Sequence, residues 1–313
     1  MYKKTLKQHN ISFIFYTFAP EMEKIEEQII QKRDVALALS SGGARGLAHI
    51  GAIEVLKEQG YNITSIAGCS MGALIGGVYA AGKLEDFREW MKTIDRKKML
   101  ELTDFSLSLN HLAKGTRIIE AIMEFVPDML IEDLPIPYCA VATDWKTGRE
   151  VVLCKGSLFQ AIRASISLPS FYEPVRRDGM ILIDGGVTNP LPLNRVARRE
   201  GDILVGVDVS GHDYETQWKE QQELAERRKH STSLSQKILN RLIPDNLEFN
   251  YYTMLSRVSS IMIRQNSILM AQMMKPEILV DIQMSKYESF DFDKSEKLIA
   301  IGRKKTLQAL QIK

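Results

Sequence analysis

Most of what this chain lacks narrows the field. Its three cysteines, Cys69, Cys139 and Cys154, stand far apart in 313 residues. No two have the spacing of a zinc knuckle or a redox pair. An odd, scattered set argues against a disulfide framework and for a reducing, cytoplasmic compartment. Histidine is as scarce: His9, His49, His111, His212 and His230 are the only imidazoles available to serve as a base. Neither charge sign dominates, because 41 Lys and Arg against 39 Asp and Glu leave a net +2. That balance excludes the strongly basic domain typical of a nucleic-acid binder. No stretch reaches the roughly 18 apolar residues of a membrane span. His, Cys and carboxylates do not cluster at ligand spacing, so neither metal nor cofactor is expected.

What is present suits one sizeable core. Apolar residues make up 45% of the chain and charged residues 26%, ordinary for a globular protein that needs no disulfide or metal. Residues 1–33 read as an N-terminal extension. There Lys3, Lys4 and Lys7 precede a short apolar run, Ile11 to Ala19, with no small-x-small cleavage site after it. The reading adopted is a true start at Met22, or a weak membrane anchor, rather than secretion. Residues 34–313 read as one α/β domain carrying a polar insertion at about 211–237, rich in Glu, Gln, Lys and Arg. No internal repeat is visible.

From Val35 onward strand-like and helix-like segments alternate. Strands are expected at Val35–Ser40, Ile63–Ala67, Tyr138–Thr143, Glu150–Cys154, Met180–Ile183, Ile203–Val209 and Glu277–Met284. Helices are expected at about Ala48–Gln59, from Ser70 to Gly82, Leu84–Glu101, Arg117–Phe125, Ser157–Ser167, Leu247–Met274 and Ser295–Ile312. Strands that are apolar on consecutive positions, with helices between them, predict a mostly parallel sheet covered on both faces.

Three segments carry chemistry. In Gly68-Cys69-Ser70-Met71-Gly72, apolar residues lead into a Ser between two glycines and a small-residue run follows. That is the strand–turn–helix grammar of a nucleophile elbow, with a helix N-terminus where an oxyanion would form. Alone, it is equally a small-residue turn. Cys69, flanking the Ser on an apolar strand end, reads as a packing residue. The second segment, Ser40-Ser41-Gly42-Gly43-Ala44-Arg45-Gly46, follows the first strand and suits either a phosphate or an ester oxyanion. It lacks the Gly-Lys-Ser/Thr end of a P-loop, and no acidic residue ends the second strand to meet a ribose. In the third, Ile181-Leu182-Ile183-Asp184-Gly185-Gly186, a carboxylate ends an apolar strand at the same sheet edge. It is also the pattern of a turn Asp satisfied by local amides.

A Ser–His–Asp arrangement needs an imidazole. His9 lies outside the domain, and His49, in the first turn after the Gly-rich loop, reads as a packing or capping residue. The order Ser70, Asp184, His212 is formally possible, but His212 opens the polar insertion, a poor place to hold a ring rigidly. His111 and His230 are weaker candidates.

Taken in order, Ser41 to Gly46, Gly68 to Gly72 and Asp184 to Gly186 resemble the patatin-like phospholipase family. The likeness is closest to its bacterial single-domain members of the neuropathy-target-esterase type. Gly51 after His49, Ser165 to Pro169 with Phe171 and Pro174, Asn189-Pro190, Phe290 to Phe292 and Ile301-Gly302 also match, so the resemblance runs from Val35 to the end. It implies a three-layer α/β/α fold with a mostly parallel central sheet. It implies a Ser–Asp dyad without His, with Ser70 as acyl-accepting nucleophile and Asp184 as general base. Amides of Gly42, Gly43 and Ala44, with Arg45 nearby, would form the oxyanion hole. Gly46, Gly68, Gly72, Gly185 and Gly186 would support the elbow and loops.

A carboxylate near its ordinary pKa of about 4 is a weak base, and burial must raise it. Leu182, Ile183 and Val187 are the neighbours expected to supply that burial. Ser41 stands where the family's loop often begins with Gly, and its amide is expected to go on donating. The implied activity is hydrolysis of phospholipid, lysophospholipid or neutral-lipid esters through an acyl-enzyme, of phospholipase A or lysophospholipase type. The implied partner is lipid at a membrane or micelle surface, met by peripheral contact. Candidates for that contact are the loop Phe105 to Leu112 and the Met-rich helix (Met254, Ile261, Met262, Met270, Met273, Met274), although a Met stripe at helical spacing is expected to pack in the core. Basic runs at Arg176-Arg177, Arg195 and Arg198-Arg199 read as solvated faces. Two other classes stay open: a low-turnover lipid-binding or regulatory protein, and a Ser–His–Asp esterase using His212. Oligomeric state is not legible.

Overall fold

The computed structural model describes residues 33–102, 116–169, 171–211, 219, 251–284, 286–287 and 291–312. The extension 1–32, the loop Phe105 to Leu112 with His111, Phe290, His212, His230 and all but Gly211 and Lys219 of the polar insertion lie outside them.

The described residues begin with β1 (Arg33–Leu39), a 3-10 turn (Gly43–Leu47) and α1 (Ala48–Glu58). Then come β2 (Tyr61–Cys69), α2 (Met71–Ala80), α3 (Leu84–Lys92), α4 (Arg96–Leu102) and α5 (Thr116–Met123). The middle holds the hairpin β3 (Tyr138–Asp144) and β4 (Arg149–Leu153), α6 (Leu158–Ser165), β5 (Val175–Arg177) and β6 (Met180–Asp184). β7 (Ile203–Gly211), α7 (Tyr251–Met274), β8 (Ile278–Gln283) and α8 (Ser295–Ala309) complete it.

Five strands, in the order β8-β7-β1-β2-β3, run parallel. β4 and β6 join β3 antiparallel, and β5 joins β6 the same way. The sheet is therefore mixed, with a parallel central part flanked by helices in the three-layer α/β/α arrangement. The residues of β1 explain its two faces, because successive side chains of a strand point to opposite sides. Val35, Leu37 and Leu39 enter the larger core, with side chains from α1, α2, α6 and α8. Ala36 and Ala38 enter a smaller cluster closed by Leu191, Leu193 and the last turns of α7. α8 crosses α1 where each offers a glycine. A Cβ on Gly302 would lie 2.0 Å from the Ala48 carbonyl oxygen, and one on Gly51 would lie 2.1 Å from that of Ile299.

Three details depart from the sequence expectations. The charged stretch Leu84–Glu101 is two helices, because Asp95 caps the second by accepting the Lys98 amide hydrogen at 2.7 Å. β5 was read only as a basic run, yet Arg176 and Arg177 pair with Ile181 and Met180 of β6. The segment ending in Asp184 runs antiparallel to its neighbour, which the apolar run Met180–Ile183 does not disclose.

Candidate active site

Register on β3 brings the elbow and the carboxylate together. β4 occupies one edge of β3 from Ala140 to Asp144. On the other edge β2 pairs as far as Cys69 against Val141. From the next residue β6 takes over, with Asp184 opposite Ala142. Two strands pointing opposite ways thus end beside each other, one delivering Ser70 and the other Asp184. Ser70 Oγ donates to Asp184 Oδ2 at 2.6 Å, although the two are 114 residues apart.

The elbow is held by contacts only small residues allow. A Cβ on Gly68 would sit 2.4 Å from the Gly72 carbonyl oxygen, and one on Gly72 would sit 2.3 Å from that of Leu39. Ser70 itself has φ 54° and ψ −120°, a conformation that L residues rarely adopt. Its amide donates to Ser165 Oγ at 2.8 Å, and that hydroxyl donates onward to the Val141 carbonyl at 2.6 Å. Ser165 closes α6 fully buried. Sequence reasoning gave it no role, and only its place in the Ser165–Pro169 segment could have flagged it.

Asp184 is equally fixed. Its Oδ1 accepts the Gly186 amide hydrogen at 2.7 Å and faces Cys69 Sγ at 3.9 Å. Its own amide donates to the Ser167 carbonyl at 2.9 Å, and its carbonyl accepts from Thr143 Oγ1 at 3.1 Å. Burial raises its pKa to about 6, against the opposing hydrogen bonds from Ser70, Gly186 and Cys69. Leu182 and Ile183 are buried beside it, but Val187 is 44% exposed and cannot supply burial as expected. The Cys69 thiol is pushed well up by burial and by the Asp184 charge, so it stays neutral.

The Gly-rich loop lies against the same cavity. Gly42, Gly43 and Arg45 line it with Ser70 and Asp184, whereas Ala44 is packed into the core beneath. Arg45, itself buried, braces the loop through Nε to the Gly42 carbonyl at 3.2 Å. Ser41 departs from expectation: its amide donates to the Pro190 carbonyl at 2.8 Å and is not open to an oxyanion. Gly46 packs against Met71, and Gly185 against the Val141 carbonyl. His49 is fully buried, its Nε2–H donating to the Ser40 carbonyl at 2.9 Å. Burial depresses its pKa to about 4, so it is neutral and holds the strand end from which the loop springs. His212 lies outside the described residues.

The cavity, about 250 Å³, is lined mostly by apolar side chains, with Ser70, Asp184 and a few other polar residues among them. Its apolar walls include Leu74, Ile118, Ile122, Phe171, Met262 and Phe292. α7 forms one wall, anchored by Arg264, which donates to Asp208 at 2.7 Å and to both oxygens of Asp281. The Met stripe of α7 is not core, contrary to expectation: Met254, Met262 and Met273 are 55%, 55% and 74% exposed, whereas Met270 and Met274, with Ala271, pack against the small cluster on the sheet. Arg195 and Arg198 are ion-paired with Glu150 and Glu277 rather than simply solvated. Among the described residues no group of His, Cys, Asp and Glu could hold a metal ion. Nor is any described helix long and apolar enough to cross a membrane.

Residues 37–197 match the family model described as patatin-like phospholipase. An uncharacterized NTE family protein of Mycobacterium tuberculosis is 46% identical over 179 residues, covering 57% of this chain and 50% of that protein. Neuropathy target esterase sws of Drosophila melanogaster is 32% identical over 186 residues, covering 57% of this chain and 13% of that protein. The matched region is thus half or less of these relatives' own length. Among solved structures, VipD from Legionella pneumophila aligns with a TM-score of 0.46 at 15% identity, over 90% of this chain and 67% of VipD.

Proposed function

We propose that this chain, which belongs to the patatin-like phospholipase family, hydrolyses carboxylic esters of lipids with Ser70 as nucleophile and Asp184 as general base. The observation that carries the reading is the 2.6 Å bond from Ser70 Oγ to a buried carboxylate in a largely apolar cavity. With its pKa near 6, Asp184 is ionised at neutral pH yet basic enough to accept the hydroxyl proton. As that proton passes to Oδ2, Ser70 Oγ bonds to the ester carbonyl carbon and the carbonyl electrons move onto oxygen. The amides of the Gly42–Ala44 loop, with Arg45 nearby, would be the donors to that charge. Collapse expels the alcohol, which takes the proton from Asp184 and leaves an acyl-Ser70 ester. Water, losing a proton to Asp184, then adds to the acyl carbon; collapse breaks the bond to Oγ and releases the fatty acid, and Ser70 Oγ takes the proton back from Asp184. No step needs an imidazole or a metal.

The substrate would be a phospholipid or lysophospholipid. Val187, Leu255 and Met262, exposed around the cavity, are the side chains that would meet a micelle or bilayer. Hydrolysis of a short-chain phosphatidylcholine is expected to climb as its concentration passes the micellar threshold. A flat profile there would remove the interfacial part of the reading.

A fluorophosphonate probe tests the chemistry directly. One adduct is expected, mapping to Ser70, with a labelling rate that rises with pH and is half-maximal near 6. Below that pH Asp184 is protonated and cannot accept the hydroxyl proton. Absence of any adduct on folded protein would favour a lipid-binding role. Loss of labelling in His212→Ala would favour the triad.

A further inference from the structure

Behind the apolar floor of the cavity lies a second, far smaller void of about 10 Å³. The two spaces share five side chains, Met71, Leu74, Ile118, Ile122 and Phe292, so a single layer of residues separates them. Met71 and Leu74 belong to α2, the helix that begins immediately after Ser70. Ile118 and Ile122 stand four residues apart on one face of α5. Away from the cavity the small pocket is lined by Phe87, Trp90 and Met91, among others. It is about large enough for one water, and the side chains around it are apolar. It adjoins the wall that faces the nucleophile.

Resting on the hydrolase reading above, we propose that the partition of Leu74, Ile118, Ile122 and Phe292 is the stop that sets acyl-chain length. An acyl group on Ser70 Oγ would extend along the apolar lining of the cavity until its terminal methyl meets this layer. A longer chain would have to displace a well-packed side chain to go on. If the partition is cut back, the void beyond becomes part of the chain site. Each further buried methylene strengthens binding by roughly fourfold. Ile122 is the natural lever, being fully buried and touching both spaces.

The experiment measures kcat/KM for p-nitrophenyl esters from butyrate to palmitate, with wild type, Ile122→Ala, Ile122→Val and Leu74→Phe. Ile122→Ala is expected to raise the long-to-short ratio by about fifteenfold, as two buried methylenes would. Ile122→Val should move it the same way by less, and it keeps the test alive should the Ala variant fail to fold. Leu74→Phe thickens the partition and should favour shorter chains. Cooperatively unfolding variants with the wild-type chain-length profile would overturn the stop while leaving ester hydrolysis standing. Wild type that neither labels with fluorophosphonate nor cleaves any ester would overturn the hydrolase reading, and the stop with it.

Discussion

Asp184→Asn is expected to lower kcat by on the order of 10⁴-fold, the upper range for loss of a general base. At neutral pH it should also raise stability by about 3 kcal/mol, since moving the carboxyl pKa from 3.8 to about 6 is roughly two units at 1.36 kcal/mol each. Both effects have one cause. Asp184 is 3% exposed, with the Cys69 thiol against its carboxylate, so its ionised form is poorly solvated. Because the folded-state pKa is raised, the folded protein holds more protons than the unfolded chain between about pH 4 and 6, and stability falls as pH rises through that window. Above it the whole cost of burying the charge is present; below it the carboxyl is neutral and the cost vanishes. Asparagine is neutral throughout, and its carbonyl oxygen can still accept from Gly186. The stability difference between the two proteins should therefore be largest at pH 7 and close to zero near pH 4, read from urea unfolding at both. If Asp184→Asn is destabilising at pH 7, Asp184 serves the fold rather than the chemistry. If it keeps substantial activity, the proton goes elsewhere.

That coupling of cost to use explains which parts of the site the sequence disclosed. Gly68 and Gly72 are glycines because neighbouring backbone lies closer than any Cβ tolerates, and such steric demands leave a mark in residue type. β1, β2 and β7 were legible because both their faces are buried, which writes continuous apolar runs. Direction leaves no such mark. The apolar residues of β6 serve an antiparallel strand as well as a parallel one, and only its register on β3 puts Asp184 beside the end of β2. Ser165 is similar: a serine closing a helix is unremarkable until the fold sets its hydroxyl under the Ser70 amide. The Ser41 amide was misjudged because its partner, the Pro190 carbonyl, is distant in sequence. The Met stripe of α7 was misjudged because spacing reveals that a helix has an apolar face, not what that face meets.

Ser70→Ala and Ser70→Gly are both expected to abolish the acyl-enzyme and to lower kcat by on the order of 10⁶-fold, as when a nucleophile is removed from a unit that works together. They should part company in stability. Ser70 holds φ 54° and ψ −120°, and no side-chain hydrogen bond caps α2 at this position. Such a conformation costs of order 1–3 kcal/mol in any residue with a Cβ. Alanine keeps the Cβ and so keeps the strain, whereas glycine enters this region freely. The extra freedom glycine gives the unfolded chain takes back roughly 0.4–1 kcal/mol. Ser70→Gly should therefore be more stable than Ser70→Ala by about 1 kcal/mol. Since Gly68, Gly72 and the bond to Ser165 fix the backbone in either variant, the comparison isolates the conformation of one residue. Equal stabilities would mean that the elbow relaxes once the hydroxyl is gone, and that the Ser70–Asp184 bond, not the surrounding backbone, holds it bent. A gap in favour of glycine would mean that the scaffold imposes the strain before any substrate arrives, presenting Ser70 Oγ to the cavity ready to attack.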